Sequence, residues 1–216
     1  MARTAIFGGS FNPIHYGHLL LADEVVEQLR LDRVLFVPAG LPPHKLAATL
    51  APAADRFTMV QLATAGHPAF QVSDLEVQRP GPSFTVDTLE TLAMGGDELH
   101  LLVGSETFLD LLSWRAPRRI AELARLVVIP RLGSVFDPES APAQKVLREL
   151  DAVRFAPVAE RASADRIVLI VRATSLPISS SDLRRRARDG RSLTYRVPPA
   201  VASYIQVRGL YRGDLA

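Results

Sequence analysis

The sequence predicts an α/β protein, a mostly parallel sheet with helices on both faces. Three observations carry this. Short apolar runs rich in β-branched and aromatic residues alternate with stretches of helical spacing along the chain. Several of these runs stop at glycine, as strands do on entering a tight turn. The 216 residues, 48% apolar and 22% charged, suffice for one domain with a sizeable core, or one domain with a small appendage. Strands alternating with helices pair in parallel and are covered on both sides.

Ala5, Ile6 and Phe7 form a buried strand that stops at Gly8-Gly9. Helical spacing follows over 18–30, with Leu21, Val25 and Leu29 on one face and Ala22 and Val26 beside them. Residues 33–37 are a second strand, followed by a proline-rich loop over 38–45. Residues 53–65 have helical character, with Phe57, Val60 and Leu62 as core contacts. A short strand at 70–72 and a loop at 78–83 lead to a helix over 85–94, stopped by Gly95-Gly96. Residues 98–103 are a strand running into Gly104, with a helix over 107–112 after it. Pro117 opens the next helix in its first turn, and 125–129 are a strand. A loop over 133–143, a helix over 143–150 and a strand over 166–171 follow, and helices over 181–188 and 198–207 close the chain. No internal repeat, low-complexity tract or domain linker interrupts the series. Ligands of such folds bind at the carboxyl ends of the strands, so Gly8, Gly9, Gly104 and the loop after Val37 are expected at one crevice.

Composition narrows the partners. The N-terminus lacks the basic region and apolar stretch of a secretory signal, and no run of about 18 apolar residues marks a membrane span. Zero cysteine excludes disulfides and thiol chemistry and fits a cytoplasmic protein. A net charge of +2 does not demand nucleic acid. Arg184, Arg185, Arg186, Arg188, Arg191 and Arg196 crowd one segment, but no aromatic-rich platform or DNA-binding motif accompanies them.

The chemistry concentrates in the stretch Gly8-Gly-Ser-Phe-Asn-Pro-Ile-His-Tyr-Gly-His18. Glycine lets backbone approach a ligand, and Pro13 fixes one dihedral of the turn. His15 and His18, three apart, project from the first turn of the helix. Two imidazoles, backbone N–H groups and the positive end of a helix dipole on one spot make a site for phosphate. A metal is the other reading of His-x-x-His; zinc wants three or four ligands, and the motif has no cysteine or acidic partner. No residue is therefore assigned as a metal ligand.

This stretch resembles the Gly-x-Phe-(Asp/Asn)-Pro-x-His-x-Gly-His signature of the nucleotidyltransferases, α/β enzymes that join a nucleoside monophosphate to a phosphorylated acceptor. Pro42-Pro-His-Lys45 resembles the bacterial nicotinate-mononucleotide adenylyltransferases. Their sister family, the pantetheine-phosphate adenylyltransferases, usually has Thr in place of His15. Pro82-Ser-Phe-Thr-Val-Asp-Thr-Leu89 is similar to the family's Pro-Ser-Tyr-Thr-x-Asp-Thr-Leu element, with Phe84 for the commoner Tyr. From its residues, Ser83 or Thr85 reads as a helix N-cap; the resemblance adds an anion receptor for the pyridine carboxylate. The stretch from Val103 to Trp114 resembles the family's Gly-x-Asp…Trp segment, with Glu106 where Asp is usual. Ile178-Ser-Ser-Ser-Asp-Leu-Arg184 resembles the Ile-Ser-Ser-Thr-x-Ile-Arg element that binds ATP phosphates. The last helix also matches, so the resemblance spans residues 4–211; nothing is carried over at 133–165.

The resemblance implies a Rossmann-like single domain over 1–216, with a small C-terminal helical part over about 179–216. It implies AMP transfer from ATP to nicotinate mononucleotide, a step of NAD synthesis, with Mg²⁺ held mainly by the phosphates. His15 and His18 are then catalytic. Gly8, Gly9, Ser10, Phe11, Lys45, Gly104, Glu106, Ser179, Ser180 and Arg184 are expected on the ATP phosphates and nucleotide. His44, Ser83, Phe84, Thr85 and Trp114 are expected on nicotinate mononucleotide. The acceptor phosphate is already an anion, so neither a base nor a covalent intermediate is required. No nucleic acid or membrane partner is expected, and homo-oligomerisation is left open.

Four rivals stand beside this reading, the nearest being the same chemistry on another acceptor, nicotinamide mononucleotide or phosphopantetheine. A nucleotide-binding module has no need of both histidines and the Ser-Ser-Ser-x-x-Arg element. A dehydrogenase would need Gly-x-Gly-x-x-Gly after a strand, which the chain lacks. A class I aminoacyl-tRNA synthetase shares the His-x-Gly-His turn but is longer and carries a Lys-Met-Ser-Lys-Ser element.

Overall fold

The computed structural model describes residues 1–43, 50–130, 136–160 and 166–213. Among them the chain runs β1 (Arg3–Gly9), α1 (Tyr16–Leu29), β2 (Arg33–Pro38), α2 (Ala53–Thr64), β3 (Phe70–Val72), α3 (Leu75–Gln78) and α4 (Thr85–Ala93). It continues through β4 (Glu98–Gly104), α5 (Ser105–Leu109), α6 (Pro117–Leu123), β5 (Arg125–Ile129), α7 (Ala141–Glu149) and β6 (Arg154–Pro157). It ends with β7 (Ile167–Ile170), α8 (Ser180–Arg188) and α9 (Pro199–Val207). The strands form one sheet in the order β3-β2-β1-β4-β5-β7-β6. The pairs β1–β4, β4–β5, β5–β7 and β6–β7 are parallel. The predicted α/β, Rossmann-like class is thus the observed one. β4 and β5 carry near-continuous buried runs, Leu101-Leu-Val103 and Leu126-Val-Val-Ile129, as parallel strands covered on both faces must.

The chain divides into two compact units, one of residues 1–7, 23–34 and 84–175, the other of 8–22, 35–83 and 176–216. The first packs Val25 and Leu29 of α1, the strand runs of β4, β5 and β7, and Val146 and Leu147 of α7. Phe108, Phe136 and Phe155 meet edge to face, with centroids 5.4–6.1 Å apart. Asp97 ties the strand starts together. It accepts from the Ala2 N–H (3.2 Å) and the Thr4 hydroxyl (2.9 Å) and pairs with Arg33, whose Nε reaches Thr4 Oγ1 at 2.9 Å. In the second unit α2 and α9 are joined through Asp55, which accepts from Tyr204 Oη (2.8 Å) and Arg208 Nε (3.2 Å).

Several expectations are corrected. Leu62 is 38% exposed and Phe57 half-buried; the buried face of α2 is instead Asp55, Arg56, Met59, Val60 and Thr64. Apolar spacing misplaced that face because its polar members are buried through hydrogen bonds. On α1 the fully buried residues are Ala22, Val25 and Leu29, while Leu21 is half-buried. The predicted 107–112 helix is two pieces, α5 and a 3-10 turn at Leu111–Ser113. β6 has one buried residue, Ala156, too little apolar pattern to mark a strand in sequence. Gln78, expected in a loop, ends α3.

Hydrogen bonds from Arg33 and then Thr4 hold the Asp97 carboxyl below the usual carboxylate range. A depressed acid stabilises the fold above its unfolded pKa, near 3.9, and loses that contribution as pH falls through the lower folded value. Asp97→Asn should therefore cost about 1–2 kcal/mol at neutral pH, allowing for partial solvent screening. In denaturant titrations the difference from wild type should shrink below pH 4.

Candidate active site

The turn after β1 lies wholly in the second unit. Gly8 is exposed, and a Cβ there would meet nothing within 4 Å, so its backbone is open to an approaching group. Gly9 is needed for another reason: a Cβ would lie 3.2–3.4 Å from the Phe11 ring. Phe11 has φ +43°, a left-handed conformation that costs a bulky L-residue about 1–3 kcal/mol and persists only where neighbours impose it. Its buried ring meets His18 edge-on (5.3 Å) and Phe36 (5.9 Å). The Asn12–Pro13 peptide is cis.

The two histidines form one unit. Their rings stack with centroids 3.8 Å apart at 30°. The His15 backbone N–H donates to His18 Nδ1 at 3.3 Å, so the neutral His18 ring carries its proton on Nε2. The His15 carbonyl accepts from the N–H groups of His18 (2.9 Å) and Leu19 (3.3 Å), which starts α1. Gly17 is fixed by this stack, because a Cβ would fall 3.0–3.1 Å from the His15 ring.

α8 is bonded to the same turn. Ser179 is its N-cap, accepting from the Asp182 N–H at 3.1 Å. Ser180 Oγ donates to Pro13 O (2.9 Å), and Arg184 Nη1 donates to Asn12 O (2.9 Å). Tyr16 N–H reaches the Arg196 carbonyl at 3.0 Å. Ser83, also in this unit, buttresses the stem after β2. Its Oγ accepts from the N–H groups of Gly40 (3.1 Å) and Leu41 (3.3 Å), and its own N–H donates to Leu41 O (2.9 Å). It does not cap α4: that helix starts after Phe84 with no side-chain cap from Ser83 or Thr85. The capping expectation is corrected on this point.

In the first unit the start of α4 carries Phe84 and Thr85. Arg115 lies 4.9 Å from the Phe84 ring centre and 3.5 Å from the Asp87 carboxylate. Trp114, half-buried, ends the 3-10 turn just before Arg115. β4 closes on Gly104, and Glu106 is exposed in the first turn of α5. His44 and Lys45 lie outside the described residues. Among the described residues no group of three or more His, Asp or Glu could hold a metal ion, and no helix is long and apolar enough to cross a membrane.

The sequence reading missed the residues that hold the turn. Asn12 Oδ1 accepts from Ala51 N–H (3.1 Å) and Tyr211 Oη (2.8 Å), 199 positions away. Burial raises the Tyr211 phenol well above its ordinary range, which keeps it a donor. Arg56, on the buried face of α2, reaches three carbonyls. A charged residue inside an apolar helical pattern was the one available signal for it.

The sequence profile of the cytidylyltransferase-like family matches residues 6–186. The chain belongs to that family. A Thermomicrobium roseum protein named "Probable nicotinate-nucleotide adenylyltransferase" is 44% identical, over 98% of this chain and 92% of its own. A Roseiflexus protein of the same name is also 44% identical, over 98% of both chains. A Plasmodium falciparum nicotinic acid mononucleotide adenylyltransferase, solved with NaAD, superposes over the full length of both chains with a TM-score of 0.75 at 19% identity, which speaks to the fold.

Gly17→Ala should leave the melting temperature near that of wild type, since only one ring must shift. Catalysis should fall by about 10-fold or more, because a displaced imidazole no longer meets its target. Thermal melts beside steady-state rates would separate the two effects.

Proposed function

We propose that the protein transfers AMP from ATP to nicotinate mononucleotide, giving nicotinate adenine dinucleotide and pyrophosphate in NAD synthesis. The observation that carries this is the stacked His15–His18 pair at the start of α1, with Nε2–H as the proton-bearing nitrogen of His18. It sits in a chain that matches nicotinate-nucleotide adenylyltransferases along nearly its whole length.

The acceptor phosphate oxygen attacks the α-phosphorus, and the bond to the β-phosphate oxygen breaks. Pyrophosphate leaves with that electron pair. The nucleophile is an anion at neutral pH, so the protein has to position groups and stabilise charge rather than move a proton. His18 Nε2–H and His15 are the donors toward the reacting phosphoryl oxygens, with the Gly8–Ser10 backbone beside them. Arg184 and the start of α8 serve the triphosphate, as does Lys45. Mg²⁺ supplies charge neutralisation when bound with ATP. Among the described residues no group of three or more His, Asp or Glu could hold it, and it would be held mainly by phosphate oxygens.

For the acceptor, the start of α4 is an uncapped helix terminus whose N–H groups and Thr85 hydroxyl suit a carboxylate. Arg115 adds a cation there, and Trp114 offers an indole face to the pyridine. Ser83 acts through the loop stem it holds. A non-catalytic nucleotide binder is the alternative, and no observation favours it.

Pyrophosphate release from ATP and Mg²⁺ should be measured with nicotinate mononucleotide, nicotinamide mononucleotide and phosphopantetheine in parallel. Strong preference for the first is expected. Equal use of both mononucleotides would remove the carboxylate role from α4, and release with none would return the chain to a binding module. In the same assay His18→Ala should lower turnover at least ~10²-fold while ATP still binds, as for loss of one transition-state donor.

A further inference from the structure

Arg56 is 1% exposed, among the largest fully buried side chains. Its Nε donates to Ala51 O (2.9 Å), Nη1 to Ser10 O (2.8 Å) and Nη2 to Gly40 O (2.9 Å). None of the ion pairs among the described residues includes it, and its neighbour Asp55 is engaged by Tyr204 and Arg208. Burial lowers the guanidinium pKa, yet an arginine side chain remains charged at neutral pH. Three carbonyl oxygens take three of its five N–H donors without neutralising it. A buried cation is a poor way to gain stability, because apolar residues of similar volume often do as well or better. Its placement therefore calls for another reason.

The three acceptors supply one. In a planar trans peptide the carbonyl and the following N–H point opposite ways. Drawing the Ser10 carbonyl to Arg56 thus directs the Phe11 N–H away from it, and it anchors the entrance to the left-handed Phe11. Arg184 holds the exit of the same strained segment through the Asn12 carbonyl. At Gly40 the logic repeats: the carbonyl goes to Arg56 and the next N–H, of Leu41, goes to Ser83 Oγ. Gly40 has no room for adjustment, since a Cβ would lie 2.2 Å from the Glu76 carbonyl oxygen.

We propose that Arg56 is a positioning residue for adenylyl transfer. It fixes the peptide planes of the phosphate turn and of the stem after β2, and sets an uncompensated positive charge behind a turn built for anions. The proposal rests on the reading of this turn as a nucleotidyltransferase centre.

The test compares Arg56→Gln and Arg56→Lys with wild type, in pyrophosphate release from ATP, Mg²⁺ and nicotinate mononucleotide, well below each variant's melting temperature. In folded Arg56→Gln, kcat should fall by at least ~10²-fold, the scale for small misplacement of reacting groups, with KM for both substrates within ~3-fold of wild type. Arg56→Lys, which restores the charge and part of the bonding, should recover at least ~5-fold of that loss. Wild-type kcat in folded Arg56→Gln would overturn the proposal. So would a loss confined to KM, the absence of any recovery in Arg56→Lys, or failure of both variants to fold, which would make Arg56 a stability residue. An inactive wild type would refute the functional reading itself.

Discussion

The carbonyl contacts on either side of Phe11 are the constraint on which the candidate site depends. A bulky aromatic residue at φ +43° does not stay there unaided. Arg56 holds the Ser10 carbonyl before it and Arg184 the Asn12 carbonyl after it, while the Asn12 side chain is held by Ala51 and Tyr211. With the backbone so fixed, the Phe11 ring fills the space that a Cβ on Gly9 would take and meets His18 edge-on. His18 Nδ1 accepts from the His15 backbone, and the His15 ring covers the Cα of Gly17.

Charge is distributed to match. Arg185 pairs with Asp182, and Arg186 donates to the Ser192 carbonyl. Arg191 and Arg196 add to the positive surroundings of Arg186, which, after desolvation, lower its pKa. These residues belong to the exposed side of α8 and the loop after it. Arg184 and Arg56 are different: both are committed to carbonyls of the turn. A run of arginines in the sequence thus separates into one residue bonded to the turn and several surface ones, and Arg56, also bonded to the turn, lies outside the run.

Much of the fold was legible because its signals are local. Apolar runs ending in glycine gave β1 and β4, and Gly95-Gly96 marked the end of α4. Pro117 marked the start of α6. The meeting of His15 and His18 at the start of α1 was legible as a short motif. What could not be read depends on partners far away in sequence. Apolar periodicity put Leu62 in the core because no local rule says that Arg56 will find carbonyls at residues 10, 40 and 51. The roles of Ser83 and Asn12 were hidden for the same reason. Each side chain takes its meaning from backbone groups that only the folded chain brings near. β6 was missed because a sheet edge needs few apolar residues.

A crystal structure of the protein with a non-hydrolysable ATP analogue tests the central claim most directly. The account predicts phosphate oxygens within hydrogen-bond distance of His18 Nε2 and of the Gly8–Ser10 backbone. Phe11 should remain left-handed, and the bonds from Arg56 and Arg184 should be intact. A triphosphate seated away from this turn, or a turn that gives up those bonds and repacks around the ligand, would contradict it.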